Sequence, residues 1–229
     1  MSLDFGMYPI ALLIIALFIP LAYCIKWKKN ELKDIILLVA CGAIIIILYP
    51  ITFYLSNAFG VIGYSLGKFV LFVLLPIATI FYIEKWKIKD ILFNVGVRKK
   101  NLWKSIMYGL IAAIATIAIT LVISASTKID VFYHGIMFFE AFTEEFFFRG
   151  VLFLYLIGKT NLKVAYLTSI VGFILVHPQH FTSIFITTTI AQAVLLTIVV
   201  DKTKNIIGPW ISHGLNRVVP SLIGTLFTL

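Results

Sequence analysis

Between residues 138 and 149 the chain reads Phe138-Phe-Glu140-Ala-Phe-Thr-Glu144-Glu145-Phe-Phe-Phe-Arg149, placing carboxylates and a guanidinium in an otherwise aromatic run. On a helix, residues four apart share a face, so Glu145 and Arg149 can pair and neutralise each other. Glu140 and Glu144 have the same spacing but like charge, so Glu144 is not the natural partner of Arg149. A carboxylate beside a like charge in a low dielectric is set up to work as a general base near neutral pH. The competing reading of this helix is a buried ion-pair cluster that joins it to its neighbours. Histidines enter from two other apolar runs: His177 in Phe173-Ile-Leu-Val-His177-Pro178-Gln179-His180, and His213 in Trp210-Ile-Ser-His213-Gly-Leu-Asn216-Arg217. Imidazoles orient water or donate to an oxyanion, and an amide such as that of Asn216 also donates. With a carboxylate base, that set suffices to hydrolyse a peptide bond using water as nucleophile.

The elements that must position these groups lie in lipid. Of the 229 residues, 61% are hydrophobic and only 13% charged, and mean hydropathy is +1.05. A soluble domain is about 45–50% apolar and about 25% charged, and a sphere of this mass has too much surface to hide the excess. This excludes a soluble enzyme, a disordered chain and a disulfide-stapled secreted scaffold. The net charge of +9 comes from lysines between apolar runs, as the positive-inside bias produces, and not from a patch that would bind nucleic acid. Cys24 and Cys41 lie inside apolar runs without a CxxC or Cys/His cluster, which supports neither a disulfide nor a thiolate metal site.

A span needs about 20 apolar residues. Runs of that kind cover Met7–Ile25, Ile35–Leu55, Phe59–Ile83, Ser105–Ser124, Ile136–Gly158, Leu162–His177, Phe181–Val200 and Ile206–Phe227. None alternates as a barrel strand does. The expected fold is therefore an all-α polytopic bundle of about eight transmembrane helices, one integral membrane domain over residues 1–229 of a cell-membrane protein. Residues 84–104 interleave lysines with Trp86, Ile88, Phe93 and Trp103, and read as an amphipathic segment on the lipid headgroups.

Alternating spans put Lys26–Lys33, the 84–104 stretch, Lys159/Lys163 and Lys202/Lys204 on one side, leaving Lys128 on the other. With the basic side inside, Glu144 lies about 12 Å below the outer face. His177 is then at that outer end, whereas His213, counted from the inner face, falls too deep to meet them without a tilt or a break near Pro209. Lys68, following the small-residue pair Gly63 and Gly67, either snorkels or meets an acid on another helix; its expected role is structural.

Glu144-Glu145-xxx-Arg149, Phe173-xxx-His177 and His213 followed by an asparagine resemble, in order, the three motifs of the CAAX-protease and bacteriocin-processing (CPBP, or Abi) family. The resemblance covers roughly residues 136–220. It implies an intramembrane endopeptidase of the glutamate type that needs neither cofactor nor metal. Glu144 with His177 would activate water, His213 and Asn216 would steady the oxyanion, and Glu145 with Arg149 would orient Glu144. The implied substrate is a peptide, or a prenylated or otherwise membrane-associated protein, cut near its C-terminus. One departure is that the family pattern HxxxN has Arg217 at its last position here, with Asn216 one residue earlier; either side chain is in reach of His213. Three alternatives stay open: a non-catalytic immunity or binding protein of the same family, an ion- or proton-coupled transporter, and a zinc site using His177, His180, His213 and Glu144. Against the zinc site, His177 and His180 lack the i,i+4 spacing of HExxH.

Overall fold

The computed structural model describes residues 9–123 and 129–227, and every regular element among them is a helix. In chain order these are α1 (Leu13–Trp27), α2 (Leu32–Leu48), α3 (Pro50–Phe69), α4 (Leu75–Glu84), α5 (Ile88–Asn94) and α6 (Leu102–Ile123). They continue as α7 (Val131–Glu145), α8 (Leu156–Lys159), α9 (Leu162–Leu175), α10 (Ile186–Thr203) and α11 (Ile207–Phe227). Wider π-helical turns join α3 to α4 (Val70–Leu74) and α7 to α8 (Phe146–Tyr155). Met7, where the first run was expected to begin, and Lys128 lie outside the described residues.

Among the described residues, four stretches are long and apolar enough to cross a bilayer: Ile10–Trp27, Pro50–Glu84, Leu102–Ile123 and Ile186–Thr203. The chain is an integral membrane protein with an all-α bundle. These four do not reach the expected count of about eight: of the other expected runs, one lies in α9, which is shorter, and one in α7, which carries the charged cluster.

Pro50–Glu84 is not a straight rod. Gly60 has φ 60° and ψ −148° inside α3, a conformation open to glycine and costly to residues with a Cβ. The chain reverses there, so a Cβ added at Gly67 would lie 3.0 Å from Thr52 and one at Gly63 would run into the Leu55 backbone. This reversal falls beside the break expected between the second and third runs. The returning arm carries Lys68 into the bundle, where it is 3% exposed.

α11 packs mainly on α6 and α7. The buried face of α6 is built of small residues, Ser105, Gly109, Ala112, Ala113, Thr116 and Thr120, the composition that lets two helices approach closely in lipid. Gly109 and Gly208 meet backbone to backbone, with no space for a side chain on either. Ser105 Oγ donates to Asn205 O and accepts from Gly208 N, both at 3.0 Å. These contacts set the start of α11 and hence the height of His213.

The basic connections gather at one end. Asn205 Nδ2 donates to Arg98 O (2.6 Å) and Lys100 O (3.1 Å), and Asn101 Nδ2 to Thr203 O (3.0 Å). Lys159 lies 2.6 Å from Asp34, 2.8 Å from Glu84 and 3.3 Å from Glu31. Between α4 and α6 the helical part is α5, which buries Ile91 and leaves Ile88 and Phe93 exposed; Trp103, at the start of α6, is exposed as well.

Candidate active site

α7 starts where Asp130 caps it, its Oδ1 accepting from Tyr133 N at 2.9 Å, as N-cap aspartates do. From there the helix carries Glu140, Glu144 and Glu145 inward until all are buried. The π-helical turn follows directly, and in it Phe146, Phe147, Phe148 and Arg149 are buried. Phe72, in the other π-helical turn, meets Phe147 and Phe148 with ring centres 5.2 and 6.3 Å apart. Wide turns of this kind recur at functional sites; here they flank Lys68 and Glu145.

As the spacing predicts, Arg149 Nη1 donates to Glu145 Oε1 at 3.2 Å. Arg149 also donates to Gln192 O at 3.1 Å and lies over the Phe173 ring at 4.0 Å. The pair extends to α11, because His213 Nδ1 is 2.8 Å from the same Glu145 oxygen. The depth mismatch expected for His213 therefore does not arise. Glu145 itself lies at the end of a 15-residue helix, well inside the bundle, and α11 enters close to α6 without a break at Pro209.

The like charges of Glu140 and Glu144 are each met by cations from other helices, and of the two fates open to Lys68 it takes the second, meeting acids on another helix. Lys68 reaches between them and pairs with both. Arg217 pairs with Glu140 and, through Nη2, with Glu144 Oε1 at 3.0 Å. The two carboxylates face two cations, so the cluster is neutral as a set. Sequence spacing along one helix could not show this, since the Lys68–Glu144 bond joins residues 76 apart. The available signal was a lysine inside an apolar run, which needs a partner.

The two oxygens of Glu144 differ. Oε1 takes both cations, while Oε2 is buried without a hydrogen-bond partner among the described residues. His177 Nε2 and His213 Nε2 face Oε2 at 3.7 and 3.8 Å. His177 Nδ1 lies 2.7 Å from Phe173 O, and a carbonyl only accepts, so that nitrogen carries the proton. His213 Nδ1 likewise donates to Glu145. In their neutral forms both imidazoles thus turn a lone pair toward Glu144 Oε2. Three acceptors cannot meet without a donor between them. Separations just past hydrogen-bond range suit a bridging water as that donor.

These atoms open into a cavity of about 750 Å³ that is also lined by Tyr64, Lys68, Phe72, Tyr133, Gln192 and Asn216. Asn216 Oδ1 accepts from Thr120 at 3.2 Å, so the amide nitrogen is the group it can offer the cavity. His180 stacks on His177 at 5.5 Å and bonds Thr189 at 2.6 Å. Burial holds the His180 imidazole below the usual histidine range, against the upward pull of Glu144. Of the residues singled out in the sequence, Glu144, Glu145, Arg149, His177 and His213 form one connected group. Asn216 is on the same cavity wall but does not touch Glu144; Arg217 does.

Comparison with known families adds an independent finding. A family model described as Type II CAAX prenyl endopeptidase Rce1-like matches residues 126–219. No curated protein and no solved structure matches the chain. The match spans the three motifs and bears out the family resemblance drawn from them; Lys68 lies outside it.

Proposed function

We propose that this CAAX-protease relative is a multi-pass endopeptidase of the cell membrane that cuts a membrane-associated peptide with a glutamate-activated water. The observation carrying the reading is the convergence of Glu144 Oε2, His177 Nε2 and His213 Nε2 on one point at the cavity wall. A water held there donates its protons to Glu144 and His177, and its oxygen attacks the scissile carbonyl carbon. Glu144 takes the proton from the attacking water and delivers it to the leaving nitrogen as the C–N bond breaks. His213, its Nδ1–H fixed by Glu145, enters the step as the imidazolium, protonated at Nε2 from solvent before attack, and donates that N–H in a hydrogen bond to the oxyanion, beside the Asn216 amide, keeping the proton when the intermediate collapses. Glu145 stabilises that imidazolium as a triad carboxylate does. Each of these steps is served by a side chain, and none requires a metal.

The test is cleavage of a fluorogenic prenylated C-terminal peptide by detergent-purified protein, with and without chelator. Glu144→Ala and His177→Ala should each lower kcat by roughly 10²–10⁴-fold, and wild-type cleavage should survive chelation. Loss of wild-type activity on chelation would shift the reading to a metal held by the same three acceptors. A wild type that cleaves neither this peptide nor an unprenylated membrane peptide would favour a non-catalytic binding role.

A further inference from the structure

The division of labour between the two oxygens of Glu144 has a structural cause outside the family-matched segment. We infer that Lys68 is a positioning residue: it fixes the Glu144 carboxylate through Oε1, so that Oε2 alone is presented to His177 and His213. This rests on the reading of Glu144 as the base. Lys68 Nζ pairs with Glu144 Oε1 and with Glu140, and it is buried with Tyr64 and Phe72 ring centres 5.4 and 5.5 Å away. An ammonium gripped on four sides has little freedom to follow a moving carboxylate. Its height is set by the reversal at Gly60 and the contact of Gly67 with Thr52, neither of which belongs to α7.

Glu140 has a distinct part in this arrangement. Lys68 and Arg217 would bring two positive charges to a single carboxylate, and Glu140, which touches both, balances the second. Glu140 is thus the counter-charge that allows two cations to hold Glu144 in an apolar bundle, where an unbalanced charge is costly.

The two roles separate in variants. Lys68→Met removes the grip and also leaves one carboxylate charge unbalanced, so both stability and activity should fall. Lys68→Met with Glu140→Gln is balanced again, with Glu144 still held by Arg217. Its unfolding temperature in detergent should return close to wild type. Its kcat should stay about 10- to 100-fold low with KM nearly unchanged, the size expected when a reacting group is misplaced by about 1 Å. Lys68→Arg, which keeps the charge on a different fork, should recover part of kcat.

Wild-type kcat in the balanced double variant would overturn the inference and leave Lys68 as a charge balance only. A rise in KM that accounts for the whole loss would also overturn it, since that would mark a substrate contact. Failure of the underlying reading looks different: a wild type without cleavage, or Glu144→Gln with full activity, removes the base and its positioning residue together.

Discussion

At the scale of single residues, one site carries two kinds of ion pair, and they should answer mutation differently. Glu145 is fully buried between Arg149 and His213. Glu145→Gln keeps an acceptor for His213 Nδ1–H but loses the charge that stabilises the imidazolium. It should lower kcat by about 10²-fold or more with KM little changed, by analogy with a triad carboxylate-to-amide change. It also strands Arg149, and breaking a buried pair costs roughly 3–5 kcal/mol, which thermal unfolding in detergent would register. Adding Arg149→Met should return stability but not activity. If activity returned as well, the pair would be a helix-joining cluster and nothing more. The Glu145–Arg149 contact was legible in the sequence because both partners share one helix at a spacing with fixed geometry. The partners of Glu144 were not, because helix periodicity says nothing about which lysine or arginine another helix brings in.

At the scale of elements, the site depends on how closely α6 and α11 cross. Gly208 meets the Ser105 backbone, while an added Cβ at Gly135, on α7, would touch nothing within 4 Å. Gly208→Ala must therefore push the helices apart, costing roughly 1–3 kcal/mol as overpacking does, and should displace His213 and Arg217 with a loss of activity. Gly135→Ala should be neutral or stabilising by about 0.5–1 kcal/mol, since it removes the backbone freedom of a helical glycine. Equal effects of the two changes on unfolding temperature and turnover would show that the crossing does not position the site. Apolar runs located most of the helices, because lipid demands continuous hydrophobicity. The π-helical turns at Val70–Leu74 and Phe146–Tyr155 left no such mark. A run that is apolar all round, like Phe146-Phe147-Phe148, carries no periodicity from which a widened turn could be read.

For the molecule as a whole, the charged connections and the cavity occupy opposite ends. Asn205 and Asn101 tie the basic stretch between Glu84 and Lys104 to the α10–α11 junction, and Lys159 joins the α1–α2 connection to the end of α4. The cavity is lined instead by Ile10, Tyr133, His134, Pro178 and Gln179, from chain positions one helix length away. Lysine-rich connections are retained on the cytoplasmic side, so the cavity should open toward the outer face. That predicts a substrate reached from outside or from the outer leaflet, unlike a CAAX-type enzyme working from the cytosol. Cysteine labelling in intact cells tests this with little background, because native Cys24 and Cys41 are both buried. Ser183→Cys, in the connection beside His180, should react with an impermeant maleimide without lysis. Lys87→Cys should react only after lysis. The reverse pattern would turn the molecule over and bring its active site to the cytosolic face, with the basic stretch outside and the lysine asymmetry left without a function in topology.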